Sequence, residues 1–322
     1  MRPLRVAILG PGAIAARHAE ALRAMPDEAE LVAVCGRDPD RAQAFTAVHG
    51  GKSYDDRDRM LDEIAPDVLV IALPPFAHTD EVEAAARRGV HMLIEKPIAL
   101  DDAQAEAMVA ASEAVKTQVG FMYRYGAAVL SWEASNPGRV GLFAGRFHSH
   151  ALHAPWWRER ALSGGQMVEQ AIHLIDLVRV HMGEPQTIYA RTANLFHKTV
   201  PRYTGEDVSA ILFGFDDGRI ATLNATNAAV PGKWVKEWHL VAERAAGHFT
   251  DWNTGTITHT AGGVHSTTVA GTEDVFEAQL RDLIAAIRED RPAKVPMREG
   301  AASLRLALAA RRSADERREI RL

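Results

Sequence analysis

The chain has 322 residues, 47% hydrophobic and 25% charged, with 37 Lys and Arg against 42 Asp and Glu for a formal charge of −5. This is ordinary globular composition, long enough for two domains, and its acidity argues against a nucleic-acid binder working through a basic surface. One cysteine, Cys35, excludes an internal disulfide and a cysteine-rich zinc site; with no bilayer-length apolar run and no signal-peptide core, the expectation is a cytoplasmic protein without a membrane partner.

The first apolar run, residues 4–10, is broken by Gly10-Pro11-Gly12 and followed by an alanine-rich helical stretch over 14–25. Gly10-Pro11-Gly12-Ala13-Ile14-Ala15 fits G-x-G-x-x-G/A between a strand and a helix. The first glycine permits a tight turn, and the second lets the backbone approach a pyrophosphate. The small Ala15 keeps helix and strand close, and the helix N-terminus offers N–H groups to phosphate. The second run, 31–35, leads into Gly36-Arg37-Asp38-Pro39. A ribose-binding carboxylate would be expected at position 36, where glycine stands, and Arg37 follows it. That combination suits a 2′-phosphate, so NADP is expected ahead of NAD, while Asp38 reads as an N-cap with Pro39 at the first helical position.

Further strands are predicted over 68–73, 90–94 and 119–121, with helices over 79–88 and 101–116. Alternation of this kind implies right-handed βαβ crossovers and a Rossmann-type doubly wound parallel sheet, ending near residue 122. The run 90–94 leaves as Glu95-Lys96-Pro97, which places Lys96 at the carboxyl end of a strand, where ligands sit in open parallel sheets.

From residue 123 to 322 the rhythm changes. Short runs at 141–148, 187–193, 208–215, 219–226 and 238–242 predict a large, mostly antiparallel open sheet in an α+β domain, with the hairpin turn Asp216-Asp217-Gly218 and late helices over 273–289 and 299–312. Ser163-Gly164-Gly165-Gln166 opens a helix expected to run over 167–182, with Glu169 and His173 four apart on one face and Asp176 three further on. From spacing alone, His173 reads as a packed histidine. Trp156, Trp157 and Arg158 lie in a loop just upstream, where the tryptophans suit an interdomain wedge as well as sugar stacking. His148, His150 and His153 invite a metal reading, but no cysteine accompanies them and no metal is expected.

Together these segments resemble the glucose–fructose oxidoreductase/inositol dehydrogenase/MocA (Gfo/Idh/MocA) family: Gly10–Ala15, Ala72–His78, Glu95-Lys96-Pro97, Gly120–Arg124 and Ser163–Asp176. The resemblance implies a nicotinamide-dependent oxidoreductase acting on a sugar, polyol or related cyclic alcohol or ketone. It implies cofactor contacts at Gly10, Gly12, Ala13, Ile14, Arg37, Leu73, Pro74, His78, Glu95, Lys96 and Arg124, and a substrate pocket with Tyr123, Trp156, Trp157 and Arg158. Lys96 and His173 would be catalytic, meeting across one cleft, with Glu169 standing where the family commonly has aspartate and Ala171 where glycine is common. His173 would exchange the hydroxyl proton, and Lys96 would stabilise the developing alkoxide. Alternatives are redox-assisted elimination or cleavage of a sugar with cofactor recycling, and a non-catalytic NADP(H) sensor. A homodimer or homotetramer through the open sheet face is expected.

Overall fold

The computed structural model describes residues 2–150, 152 and 154–322, in two compact units. One contains Met1–Met122 and Asp274–Ala301, the other Tyr123–Glu273 and Ala302–Leu322. A division at residue 122 alone would assign Asp274–Ala301 to the second domain.

The first unit is built on a six-stranded parallel sheet, ordered β3-β2-β1-β4-β5-β6. Its strands are β1 (Leu4–Leu9), β2 (Ala29–Cys35), β3 (Lys52–Tyr54), β4 (Val68–Ile71), β5 (His91–Ile94) and β6 (Thr117–Val119). All four β4 residues are buried, as expected of a strand covered on both faces. The helices are α1 (Ala13–Arg23), α2 (Pro39–His49), α3 (Arg57–Ile64), α4 (Glu81–Arg87) and α5 (Asp102–Ala111). Asp38 caps α2 by accepting from the Asp40 and Arg41 N–H groups, with Pro39 in the first turn. β3 and α3 are additions to the predicted elements: β3 is a three-residue edge strand without an apolar run. α5 stops at Ala111, short of the expected 116, where Ser112 Oγ donates to the Val109 carbonyl at 3.2 Å. The helix Val275–Arg288, capped by Asp274, packs against α1 in this unit.

Because β1 pairs with β2 on one side and β4 on the other, the strand order reverses beside it. The carboxyl ends of β1 and β4 therefore flank the crevice in which open α/β sheets take their ligands.

The second unit holds a nine-stranded sheet, ordered β14-β13-β12-β11-β7-β10-β9-β8-β15. These are β7 (Val140–His148), β8 (Thr187–Ala193), β9 (Val208–Gly214), β10 (Ile220–Thr226), β11 (Val235–Ala242), β12 (Ala245–Phe249), β13 (Thr254–His259), β14 (His265–Ala270) and β15 (Ile320–Arg321). Every pairing is antiparallel except β7 with β10. Strands β12–β14 extend the sheet beyond the predicted runs. Phe143, Gly145 and Phe147 of β7 are buried, and a Cβ at Gly145 would lie 3.3 Å from Leu174, so the helix carrying His173 packs closely there. On the opposite face Leu142, Leu212, Ile220 and Val241 stay exposed, with Leu142 in register with both Ile220 and Val241. Among the described residues, no helix is long and apolar enough to cross a membrane.

Candidate active site

The glycine turn is shaped by what glycine alone allows. Gly10 has φ 95°, and a Cβ there would lie 2.8 Å from the Ala72 carbonyl oxygen and 2.9 Å from a Leu73 methyl. Gly12 is the reverse case: nothing lies within 4 Å of where its Cβ would be. Gly12 is the N-cap of α1, no side chain caps that helix, and its first turn carries no acid. A bare turn at an uncapped helix N-terminus, leading into Ala13 and Ile14, fits the pyrophosphate of a dinucleotide.

Gly36 follows β2. A Cβ there would fall 2.7 Å from Pro11 Cδ, which explains why no carboxylate side chain stands at that position. Arg37 is exposed, and Asp38 is occupied in capping α2.

Pro74 leads from β4 into a short turn of 3-10 helix, Pro75–Ala77. His78 follows, enclosed, its Nδ1 in a short hydrogen bond to Glu81 Oε1, while Glu81 Oε2 accepts from the Thr79 N–H at 2.8 Å. Burial pushes the Glu81 carboxyl up, but the His78 ring and the Thr79 N–H outweigh it and hold the group below its ordinary value. His78 Nε2 is buried without a protein partner among the described residues.

Lys96 leaves the end of β5 through a cis peptide to Pro97. The preceding Glu95 is buried, with Oε1 2.8 Å from His18 Nε2 and Oε2 accepting the Lys96 N–H at 3.3 Å. His18 is absent from the sequence-derived site. Its one signal there is a titratable residue in the buried stripe of α1, beside Ala15, Ala19 and Leu22.

In the second unit, His173 is 5% exposed and lies in the first turn of the helix Ile172–Met182. The expected continuous helix over 167–182 is broken: Gln166–Glu169 forms one short helix, and the chain restarts at Ile172. At the break the Ala171 N–H reaches the Gln166 carbonyl, five residues back. Glu169 and His173 are both buried, but they do not share an unbroken helical face. Gly165, with φ 92°, opens the short helix, and a Cβ there would lie 2.5 Å from Glu206 Oε2. Glu206 accepts the Met167 N–H at 3.0 Å, and burial raises its carboxyl above the ordinary range.

Tyr123 stacks on His173, ring centroids 4.5 Å apart at 9°, and leans on Trp252 at 4.8 Å. Burial, then the Asp251 carboxylate, pushes its phenol well above the usual tyrosine range, so the ring packs as a neutral phenol. Arg124, expected at the cofactor, instead makes a buried bidentate pair with Asp176, Nε at 2.8 Å and Nη2 at 2.6 Å. Ser303 Oγ donates to the same carboxylate at 2.7 Å. The pair pins the His173 helix one turn below the histidine.

Trp156, Trp157 and Arg158 form one short 3-10 turn, all half-buried. The two indoles meet edge to face at 5.7 Å, and Trp157 approaches Trp234 at 6.4 Å. Arg158 donates from Nε and Nη2 to the Leu152 carbonyl, at 3.0 and 2.6 Å, so its fork braces the loop.

Of the three histidines weighed for a metal, His148 bonds Asn224 Oδ1 at 2.6 Å, His150 lies edge-on to His197 at 6.0 Å, and His153 is outside the described residues. The convergent donors are elsewhere: Glu237, His239 and His248 offer ligand atoms within 4.8 Å of one another on β11 and β12. There Arg146 Nη2 already holds both Glu237 oxygens, at 2.8 and 2.7 Å, and the two imidazoles stack in parallel at 4.1 Å. That arrangement reads as a half-exposed ion-pair cluster.

Residues 4–123 match the model of an oxidoreductase family with an NAD-binding Rossmann fold, and residues 132–272 match the GFO/IDH/MocA C-terminal domain. The chain belongs to the Gfo/Idh/MocA family of oxidoreductases. It is 28% identical to an inositol 2-dehydrogenase of Rhizobium meliloti over 98% of both chains. It is 31% identical to a glucose-6-phosphate 3-dehydrogenase of Bacillus subtilis over 54% of this chain, a match spanning about half of that relative (52%). A levoglucosan dehydrogenase solved with NADH and levoglucosan superposes with a TM-score of 0.90 over 99% of both chains at 19% identity, a likeness of fold. The first of these models describes an NAD-binding unit, so a nicotinamide dinucleotide belongs to the unit that holds the glycine turn.

Proposed function

We propose that the protein oxidises a secondary hydroxyl of a sugar, polyol or related cyclic alcohol, or reduces the matching ketone, with NADP(H) as the preferred cofactor. The observation that carries this reading is Lys96 at the carboxyl end of β5, anchored through Glu95, in the sheet whose glycine turn is open at Gly12. Bound nicotinamide supplies the hydride acceptor or donor at its C4. Lys96 and His173 act on one substrate oxygen: the ammonium stabilises its developing negative charge, and the imidazole takes or returns its proton. The stacked Tyr123 ring fixes the plane of that imidazole. Glu169 orients His173 or binds a neighbouring hydroxyl, and Trp156 and Trp157 offer apolar faces to a sugar ring.

The NADP preference is supported by two neighbours in the first unit. Pro11 leaves no room for an acid at position 36, and the exposed Arg37 that follows it carries a guanidinium able to donate to a 2′-phosphate. The exposed aliphatic row Leu142, Leu212, Ile220 and Val241 suits the contact face of a cytoplasmic homodimer or homotetramer.

A panel of sugars and polyols, assayed with both cofactors in both directions, tests the reading; no turnover of any alcohol or ketone would overturn it. Arg37→Ala should raise the KM for NADPH about tenfold or more while leaving that for NADH nearly unchanged, because a charge-assisted hydrogen bond is worth about 1.5–3 kcal/mol. Equal effects on the two cofactors would remove the NADP assignment.

A further inference from the structure

The buried stripe of α1 carries one imidazole, His18, with no exposed surface. Its Nε2 lies 2.8 Å from Glu95 Oε1, a contact between residues 77 positions apart. A carboxylate only accepts, so Nε2–H donates, and His18 Nδ1 is left buried without a protein partner among the described residues. A ring that served only to fill volume would not need this pairing; leucine would pack there without leaving a buried nitrogen orphaned.

The Glu95 carboxylate is restrained from three further directions. Just past β5 its backbone is held to β4, with the Glu95 N–H on the Ile71 carbonyl at 2.9 Å. Its Oε2 takes the Lys96 N–H at 3.3 Å. Gly120, just past β6, lies against it so closely that a Cβ would be 2.7 Å from Oε2 and 2.9 Å from Cδ. Phe276 closes the other side of His18, edge-on at 5.3 Å. The helix that begins at the glycine turn and the loop that carries Lys96 are thus joined by one enclosed hydrogen bond.

We infer that His18 is a positioning residue: through Glu95 it sets where Lys96 leaves β5 relative to the glycine turn, and so governs the chemical step without touching cofactor or substrate. The inference rests on the role proposed above for Lys96. Without the imidazole donor, the enclosed carboxylate loses its main partner and must turn towards solvent or take up a proton. Either change releases the Lys96 N–H from Oε2, and a displacement of about 1 Å at a reacting group can cost on the order of 100-fold in rate.

The test uses the full chain, the alcohol of the panel that the wild-type protein turns over fastest, and four variants: His18→Leu, His18→Gln, Glu95→Asp and Lys96→Met. His18→Leu is expected to lower kcat about tenfold or more while the NADPH Kd, read by fluorescence, stays within about threefold, because only the geometry of the lysine changes. His18→Gln, whose amide N–H reaches the same carboxylate, should restore most of the lost kcat. His18→Leu added to Lys96→Met should cost nothing further, since the positioned group is already gone. If His18→Leu fails to fold, Glu95→Asp keeps the charge but withdraws it by one methylene and should show the same kcat loss. A His18→Leu or Glu95→Asp protein with wild-type kcat, beside a Lys96→Met protein whose kcat is strongly but measurably reduced, overturns the inference and leaves the proposed function standing. A Lys96→Met protein with wild-type kcat overturns the proposed function and the inference with it.

Discussion

In the first unit Glu81 and Glu95 are buried against enclosed histidines, His78 and His18, whereas in the second unit Glu206 is buried against the Met167 backbone N–H. The His78 partner and its neighbours hold Glu81 below the ordinary carboxyl range, while burial prevails at Glu206 and raises it. An imidazole partner stabilises the charged form of a carboxylate and fixes its direction. A backbone donor at a glycine turn fixes the position but offsets little of the desolvation. The second unit has a buried ion pair at Arg124 and Asp176 under His173, and Tyr123 stacks on the histidine itself. A stacked ring sets the plane of an imidazole. On the function proposed above, that imidazole both takes and gives a proton.

The sharpest way to break this contrast is His173→Ala. If the stacked histidine is the proton-exchanging group, kcat should fall by about 100-fold to 10,000-fold while NADPH still binds, as steady-state kinetics and fluorescence titration would report. A lowered melting temperature with kcat intact would make His173 a packing residue and the contrast one of structure alone. Next in size is Asp176→Ala, which leaves the Arg124 guanidinium buried without its carboxylate. Removing one partner of a buried pair costs about 3–5 kcal/mol, so the urea midpoint should drop steeply. A loss under about 1 kcal/mol, the scale of exposed pairs, would mean that water reaches Arg124 and that the pair does not anchor the His173 helix.

The same contrast decides how much is legible from sequence. The parallel sheet, the glycine turn and the placement of Lys96 follow from local patterns: apolar runs, a strand-to-helix glycine turn, and proline and glycine stops. Asp38 is a local signal too, and it caps α2 as its position before Pro39 implies. β3 escapes because three residues at a sheet edge carry no periodicity. Strands β12–β14 are hard to read because β13 and β14 hold few large apolar residues, and β14 buries only Val269. In the site, His18 and Glu95 lie 77 positions apart and only the folded chain joins them. Arg124 carries a family motif, but its bond to Asp176 spans 52 positions and depends on where the helix of His173 packs. The break at Gln170–Ala171 is hidden for a similar reason. The i, i+4 spacing of Glu169 and His173 reads as one helix, and only Glu206, brought to Gly165 and Met167 from a distant loop, marks how that helix begins.

The smallest effects give the comparison its sign. Glu81 has its folded value lowered, so its contribution is fully present above the unfolded carboxyl range, about 4.3, and is lost as pH falls through the lower folded value. Replacing it by Gln keeps the volume and a neutral acceptor for His78 but loses the charge-assisted part, about 1 kcal/mol at neutral pH. That deficit should close as the solution is acidified. Glu206 has its folded value raised, so between the unfolded and folded values the folded chain binds more protons and stability falls as pH rises. Glu206→Gln removes that cost while Oε1 still accepts the Met167 N–H. It should therefore gain stability at pH 7 and converge on the wild-type protein below the unfolded carboxyl range. Urea midpoints of the two variants between pH 4 and pH 8 would then move in opposite directions from wild type. If both variants lose stability at neutral pH, Glu206 is held by more than a backbone donor, and the two units bury their carboxylates alike.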